Sequence, residues 1–302
     1  MMSRIALAVV LLWASGSSAA TATHTFFPSP DAAVMALVQA VRASDTATLL
    51  RVLGPDARAL IASGDEVADR QSRERFVRAY DEAHRLAEVD AGTRVLTVGK
   101  DEWPLPIPLV RDAAGWWFDT ARGREEILNR RIGRNELNAA QVCLAYVDAQ
   151  REYYVRDPDG DALLQYAQRF RSTSGKRDGL YWDAQPGEPP SPLGALVARA
   201  EAEGYLAKRP SGARIPYWGY YYRIVKAQGP NAPGGAYDYV VRGSMIGGFA
   251  LVAYPAEYGA SGVMTFIVNH DGTVYQKDLG PSTAATARAL THFDPDPTWS
   301  RF

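Results

Sequence analysis

The side chains best placed for acid–base chemistry are Asp81 and His84, three residues apart. A helix expected over about Asp69–Leu86 carries Phe76, Tyr80 and Ala83 on one side and puts Asp81 and His84 on a shared face. There a carboxylate and an imidazole can exchange protons with a substrate; a solvated helix face accounts for the pair equally well. Asp101-Glu102-Trp103 precedes a Pro-rich strand, so Asp101 and Trp103 can line a ligand mouth or form a capped turn over a packed indole. The densest aromatic run is Tyr217-Trp218-Gly219-Tyr220-Tyr221-Tyr222. Strand alternation sends Trp218, Tyr220 and Tyr222 one way, onto a helix containing Leu144 and Val147, and leaves Tyr217 and Tyr221 partly exposed. Those two are binding candidates as a stacking or protein-contact surface.

Other chemistries find no frame. Neither Ser244 nor Ser261 sits in G-x-S-x-G. Gly175-Lys176 lacks the upstream glycine of a phosphate-binding loop. Asp157-x-Asp159-x-Asp161 starts like a calcium loop, but Gln168 at the twelfth position supplies no bidentate carboxylate, and a turn capping a helix is the plainer reading. The single cysteine, Cys143, lies in the apolar pattern of a helix, where it packs rather than reacts, and by itself excludes an intrachain disulfide. Histidines 24, 84, 270 and 292 are scattered. No cofactor or metal is expected, and no catalytic residue beyond the alternative pair Asp81 and His84.

The elements that must position these residues fall into two groups. From 26 to 120 helices come first and strands follow. Ser29-Pro30 starts a helix with Val34, Leu37, Val38 and Val41 on one face, and Asp45 caps a second that Gly54-Pro55 ends. Thr93–Val98 and Ile107–Arg111 read as strands, and Ala113-Ala114-Gly115 turns into Trp116–Phe118. Glu125, Glu126, Arg130 and Arg131 support a helix by their spacing, Gly133 marks a break or boundary, and Leu137, Ala140, Leu144 and Val147 form a further helical face. Shorter helices are expected at Leu163–Phe170, Leu193–Glu203 and Ala284–Leu290. Between them Tyr217–Ala227, Gly247–Tyr254, Val263–Asn269 and Thr273–Asp278 are strands, the last two a hairpin through His270-Asp271-Gly272. The fold class is α+β.

Thirty-three basic residues stand against 34 acidic ones, which leaves no electrostatic footprint for nucleic acid. The 28 arginines read as scattered, with no basic stripe. Arg4, the ten-residue apolar run Ile5–Ala14 and the small residues up to Ala22 read as a cleaved signal peptide, too short to span a bilayer core. The expected organisation is a leader (1–22), an N-terminal domain (23–125) and a C-terminal domain (126–302), exported to the periplasm or beyond and not membrane-spanning after cleavage.

Asn129–Asn138 (NRRIGRNELN), Gly219–Arg223 (GYYYR), Gly229–Gly235, Gly247–Gly262 and Met264–Gly280, with Gly99–Val110 (GKDEWPLPIPLV), resemble an uncharacterised family of exported bacterial proteins, domain of unknown function 2950. The resemblance implies export and supplies no activity. The helix-then-strand order closing on Trp116-Trp117-Phe118-Asp119 resembles the cone-shaped NTF2-like fold, whose members place ligands or catalytic groups in the cone's mouth. Residues 135–278, a helix, a loop and an antiparallel meander opening on Gly219-Tyr220-Tyr221-Tyr222, are similar to the soluble heads of type IV pilins and pseudopilins. The sequence upstream of that helix (RGREEILNRRIG) is charged, so filament assembly through an apolar helix is not available. The expectation is an exported, non-enzymatic binding or assembly module of the cell envelope with a protein partner. The alternative is an envelope hydrolase or isomerase using a pocket in the N-terminal cone.

Overall fold

A computed structural model of the chain describes residues 25–158, 160, 162–205 and 215–302. The expected signal peptide lies outside the described residues, as do Asp159 and Asp161. The N-terminal half begins with four helices: α1 (Pro30–Arg42), α2 (Thr46–Leu53), α3 (Arg58–Ile61) and α4 (Glu66–Glu82). Three start on side-chain caps: the Ser29 hydroxyl accepts from the Ala32 N–H at 3.1 Å, and Asp45 and Asp65 accept from Thr48 and Ala68 at 3.0 Å each. An antiparallel sheet follows, built from β1 (His84–Asp90), β2 (Thr93–Val98), β3 (Trp103–Pro104), β4 (Leu109–Asp112) and β5 (Gly115–Phe118). Its order is β1-β2-β4-β5, with β3 also paired to β2. Val34, Leu37, Val38 and Val41 of α1 are buried with Leu96, Val98, Leu109 and Phe118 of the sheet.

The third expected helix stops earlier than its pattern suggests. Ala83 is extended, and His84 to Asp90 pair with Val98 to Thr93. A strand edge offered by β2 overrides the helical propensity of HRLAEVD. Asp81 and His84 therefore do not share a helix face.

Next comes α5 (Thr120–Arg156), a single helix of 37 residues. Gly133, expected as a break, lies inside it, and a Cβ there would meet nothing within 4 Å. Glycine costs a helix interior only about 0.5–1 kcal/mol, too little to end one packed on both sides of the site. The buried stripe in its second half is Ala139, Ala140, Cys143, Tyr146 and Val147, while Leu137 and Leu144, expected inside, are exposed. Small residues let the helix close on the sheet beneath, which shifts the contact face from the one the leucines suggest.

That sheet is an antiparallel meander with α6 (Gly194–Ala202) beside it in sequence. It opens on β6 (Tyr220–Val225), followed by four two-residue strands, β7 (Ala227–Gln228), β8 (Tyr237–Asp238), β9 (Val240–Val241) and β10 (Ser244–Met245), which pair as β7–β8 and β9–β10. Then come β11 (Ala250–Pro255), β12 (Met264–Asn269), β13 (Val274–Asp278), α7 (Thr283–Ala289) and β14 (Ser300–Arg301), the last an addition to a tail expected to be irregular. The order across the main sheet is β14-β13-β12-β11-β6. Leu163–Phe170 is not the helix its composition suggests. It is irregular, with Tyr166 bridged to Met245, the Ala167 N–H donating to Gln150 Oε1 at 2.8 Å and a bend after it.

The aromatic strand is shorter than expected. Trp218 (φ 55°) and Gly219 (φ 75°) form a tight turn in which Tyr217 and Tyr220 exchange backbone hydrogen bonds. Trp218 consequently lies in the turn, with the Arg199 guanidinium 4.9 Å from its ring, rather than on α5. Tyr220 is fully buried and donates to the Met264 carbonyl at 2.9 Å; Tyr217 and Tyr221 are half-buried.

Candidate functional site

A cavity of about 490 Å³ opens in the N-terminal half, within the roughly 300–1,000 Å³ usual for ligand pockets. Its walls follow from helical and strand periodicity. From α4, Asp69, Ser72, Arg73, Phe76 and Ala79 recur at three- and four-residue intervals and line one side. Ile127, Arg130, Arg131 and Arg134 do the same from the first half of α5. Leu37, Val41, Leu49 and Leu53 close the helical end, and Val98, Leu105 and Ile107 the sheet side.

The polar part of this lining is lopsided. Arg73, Arg75, Arg130, Arg131 and Arg134 all reach the cavity, a convergence hidden by an arginine distribution that looks scattered along the chain. Sequence reasoning missed these residues; the available signal was the shared face of Ile127, Arg130, Arg131 and Arg134 at i, i+3, i+4 and i+7. Arg131 is held by carbonyls of α3, donating to Ala59 at 2.7 Å and also to Leu60. Burial, together with the Arg134 charge, pulls its pKa below the usual guanidinium value, despite the opposing pull of Asp69. Arg75 is lowered likewise, by burial first and then by Arg134 and Arg78. Arg73 has a buried Nε–H with no acceptor among the described residues, a donor that costs about 1–3 kcal/mol when unpaired. Among the described residues Asp69 is the one carboxylate in the lining, and Ser63 occupies it, donating N–H and hydroxyl at 2.8 Å each.

Of the residues singled out from sequence, Trp103 lines this cavity, with the Arg130 guanidinium 5.8 Å from its ring. Asp101 is exposed and outside the lining. Asp81 forms an ion pair with Arg42, whereas His84 stacks on Tyr80 at 3.8 Å between ring centroids, with Nδ1 2.9 Å from the Tyr80 carbonyl oxygen. Neither belongs to the cavity wall. Tyr217 and Tyr221 line a second, smaller cavity of about 340 Å³ with Phe170, Leu196 and Arg223. Cys143 is fully buried, and burial pushes its thiol up to about 12, so it stays protonated and unreactive at neutral pH.

The two halves meet at Asp65. Besides capping α4, this buried carboxylate accepts the Tyr205 hydroxyl at 3.0 Å and the Gly219 N–H at 2.8 Å, both through Oδ2. Burial raises its pKa against the lowering effect of those hydrogen bonds. Nearby, Asn135 of α5 donates to the Ser261 carbonyl at 2.9 Å, and Glu136 Oε1 accepts from the Val263 and Met264 N–H groups at 3.0 Å each.

A family model described as protein of unknown function (DUF2950) matches residues 24–302. The chain belongs to this family. No curated protein and no solved structure gives a match. The segments that carry the family resemblance have visible structural roles. Gly99–Val110 and Asn129–Asn138 supply Trp103, Leu105, Ile107 and three of the arginines to the cavity. Asn129–Asn138 also joins Gly219–Arg223 and Gly247–Gly262 at the junction: a Cβ on Gly219 would lie 2.6 Å from Asn135 Nδ2, and one on Gly262 2.1 Å from the Tyr220 hydroxyl. Among the described residues no helix is long and apolar enough to cross a membrane.

Proposed function

We propose that this DUF2950 protein is an exported binding module of the cell envelope that holds a small molecule in its N-terminal cavity. The observation carrying the reading is the cavity itself, about 490 Å³ walled mainly by aliphatic and aromatic side chains from α1, α2, α4, α5 and the sheet. Among the described residues no histidine, cysteine or tyrosine lines it, and the one carboxylate there is committed to Ser63, so its lining suits retention of a ligand better than proton transfer or nucleophilic attack. Export is supported by Arg4, the apolar run Ile5–Ala14 and the small residues before Thr23. The order of helices, sheet and long helix agrees with an NTF2-like cone followed by a pilin-head-like unit. In this reading the second half, with its half-buried Tyr217 and Tyr221, is the part that meets an envelope protein.

A neutral environment-sensitive fluorophore, N-phenyl-1-naphthylamine, tests the binding reading. It is expected to brighten and shift blue with the wild-type protein, and to lose that response in Ser72→Trp, which places an indole in the cavity. No response, or an equal response from the filled variant, would remove the cavity from the function.

A further inference from the structure

The total charge of the chain is close to balanced, with 33 basic and 34 acidic residues, yet the cavity lining is strongly one-sided. Five guanidinium groups face a single carboxylate already engaged by Ser63. Arg130 has an ion-pair partner in Glu126. Arg73, Arg75, Arg131 and Arg134 have no ion pair among the described residues, and Arg134 has no hydrogen bond there either. Arg75, Arg130 and Arg134 keep much of their surface in solvent, although part of Arg75 is covered, so positive charge collects where the cavity meets water, while most of the other lining side chains are hydrocarbon. Clustered guanidinium groups repel one another, and Arg134 depresses the pKa of both Arg75 and Arg131. A bound anion would relieve that repulsion through charge-assisted hydrogen bonds.

Resting on the binding reading above, we propose that the cavity takes a single-chain anionic amphiphile, with its apolar chain among Leu37, Leu49, Leu53 and Val98 and its carboxylate or phosphate head at Arg75 and Arg134. The apolar walls would be wasted on a fully polar anion, and a neutral lipid would leave the arginines uncompensated. Guanidinium groups suit planar carboxylate and tetrahedral phosphate alike, through paired N–H donors.

The test is isothermal titration of the full mature protein with monomeric dodecanoate, dodecyl phosphate, dodecanol, dodecyltrimethylammonium and inorganic phosphate. The two anionic amphiphiles are expected to bind about ten-fold or more tightly than dodecanol, as charge-assisted hydrogen bonds require. Inorganic phosphate and the cationic amphiphile are expected not to bind. Arg75→Gln/Arg134→Gln should bring the anions down to the level of dodecanol. Arg124→Gln, on the exposed surface of α5 and outside the lining, should leave them unchanged; circular dichroism reports that both variants are folded. Native mass spectrometry of protein from its own host distinguishes a bound fatty acid from a lysophospholipid by mass, and either supports the proposal. Dodecanol binding as tightly as the anions, or a preference that survives the double substitution, would overturn the anionic head while leaving the binding reading intact. Binding of inorganic phosphate as tightly as dodecyl phosphate would overturn the apolar chain. Failure of every amphiphile together with the neutral fluorophore would end both readings.

Discussion

Removing the carboxylate of Asp65 tests how the two halves are joined. The side chain is 1% exposed and accepts three hydrogen bonds, from Ala68 within α4 and from Tyr205 and Gly219 across the junction. In Asp65→Asn the amide oxygen can keep the helix cap, because asparagine is a good N-cap residue. Its NH2 group then faces the Gly219 N–H, donor against donor, while the Tyr205 hydroxyl can rotate to accept. One buried N–H without an acceptor costs about 1–3 kcal/mol, which is the expected loss. Asp65→Ala forfeits the cap as well, worth about 0.5–2 kcal/mol more. Urea unfolding followed by far-UV circular dichroism measures both. Tyr205→Phe in each background completes a cycle whose coupling should be about 1.5–3 kcal/mol, the range for a hydrogen bond to a charged group.

The pH dependence has a definite sign. Burial holds the folded carboxyl above its ordinary value of 3.8, so the folded state takes up its proton at a higher pH than the unfolded chain. The Asp65 contribution is therefore greatest below that ordinary value and is lost as pH rises through the folded one. The advantage of the wild type over Asp65→Asn should widen on acidification through that window, since other carboxylates cancel in the comparison. A loss below about 0.5 kcal/mol for Asp65→Ala, or coupling near zero, would refute the junction argument, because buried hydrogen-bonded carboxylates do not vanish so cheaply.

Tyr220→Ala should cost about 3–5 kcal/mol by urea midpoint, the range for truncating a buried aromatic, whereas Tyr221→Ala should cost clearly less because its ring is only half-buried. Gly262→Ala brings a Cβ to 2.1 Å from the Tyr220 hydroxyl and should lose about 1–3 kcal/mol in the same assay. Gly133→Ala meets nothing within 4 Å and should gain about 0.5–1 kcal/mol, seen as a higher midpoint. Mass spectrometry of protein from its native host should find a mature N-terminus between Thr21 and Thr23; an intact Met1 in the membrane fraction would refute cleavage.

Local signals were legible wherever the chain alone decides. The Ser29-Pro30 start, the Asp45 cap and the hairpin through His270-Asp271-Gly272 are fixed by residues a few positions apart, and each stands where expected. What was not legible depended on partners far along the sequence. HRLAEVD carries helical propensity and becomes a strand because β2 is there to pair with it. Leu137 and Leu144 look like core until the sheet fits closely against Ala139, Ala140 and Cys143 instead. The cavity is the same kind of case. Arg73 and Arg75 lie about sixty residues from Arg130, Arg131 and Arg134, and only the tertiary fold, which brings α4 and the first half of α5 to one cavity, puts them in a shared lining. Trp103 was visible because an indole next to carboxylates is conspicuous in any short window. Arginines spread through a chain rich in them are not.

The unbroken run of α5 makes chain length, rather than chemistry, the strictest constraint on this protein. One helix presents Ile127, Arg130, Arg131 and Arg134 to the first half and, from the very next residue, Asn135, Glu136 and Cys143 to the second. Deleting or inserting one residue where the two sets adjoin, at Arg134-Asn135, would turn one set by about 100° relative to the other, so that no rigid rotation could satisfy both. An added heptad would nearly restore the angle but carry the two halves about 10 Å apart, out of reach of the Asp65 junction. Exposed loops of this chain can lengthen or shorten at little cost, whereas this stretch can change its letters but not their number.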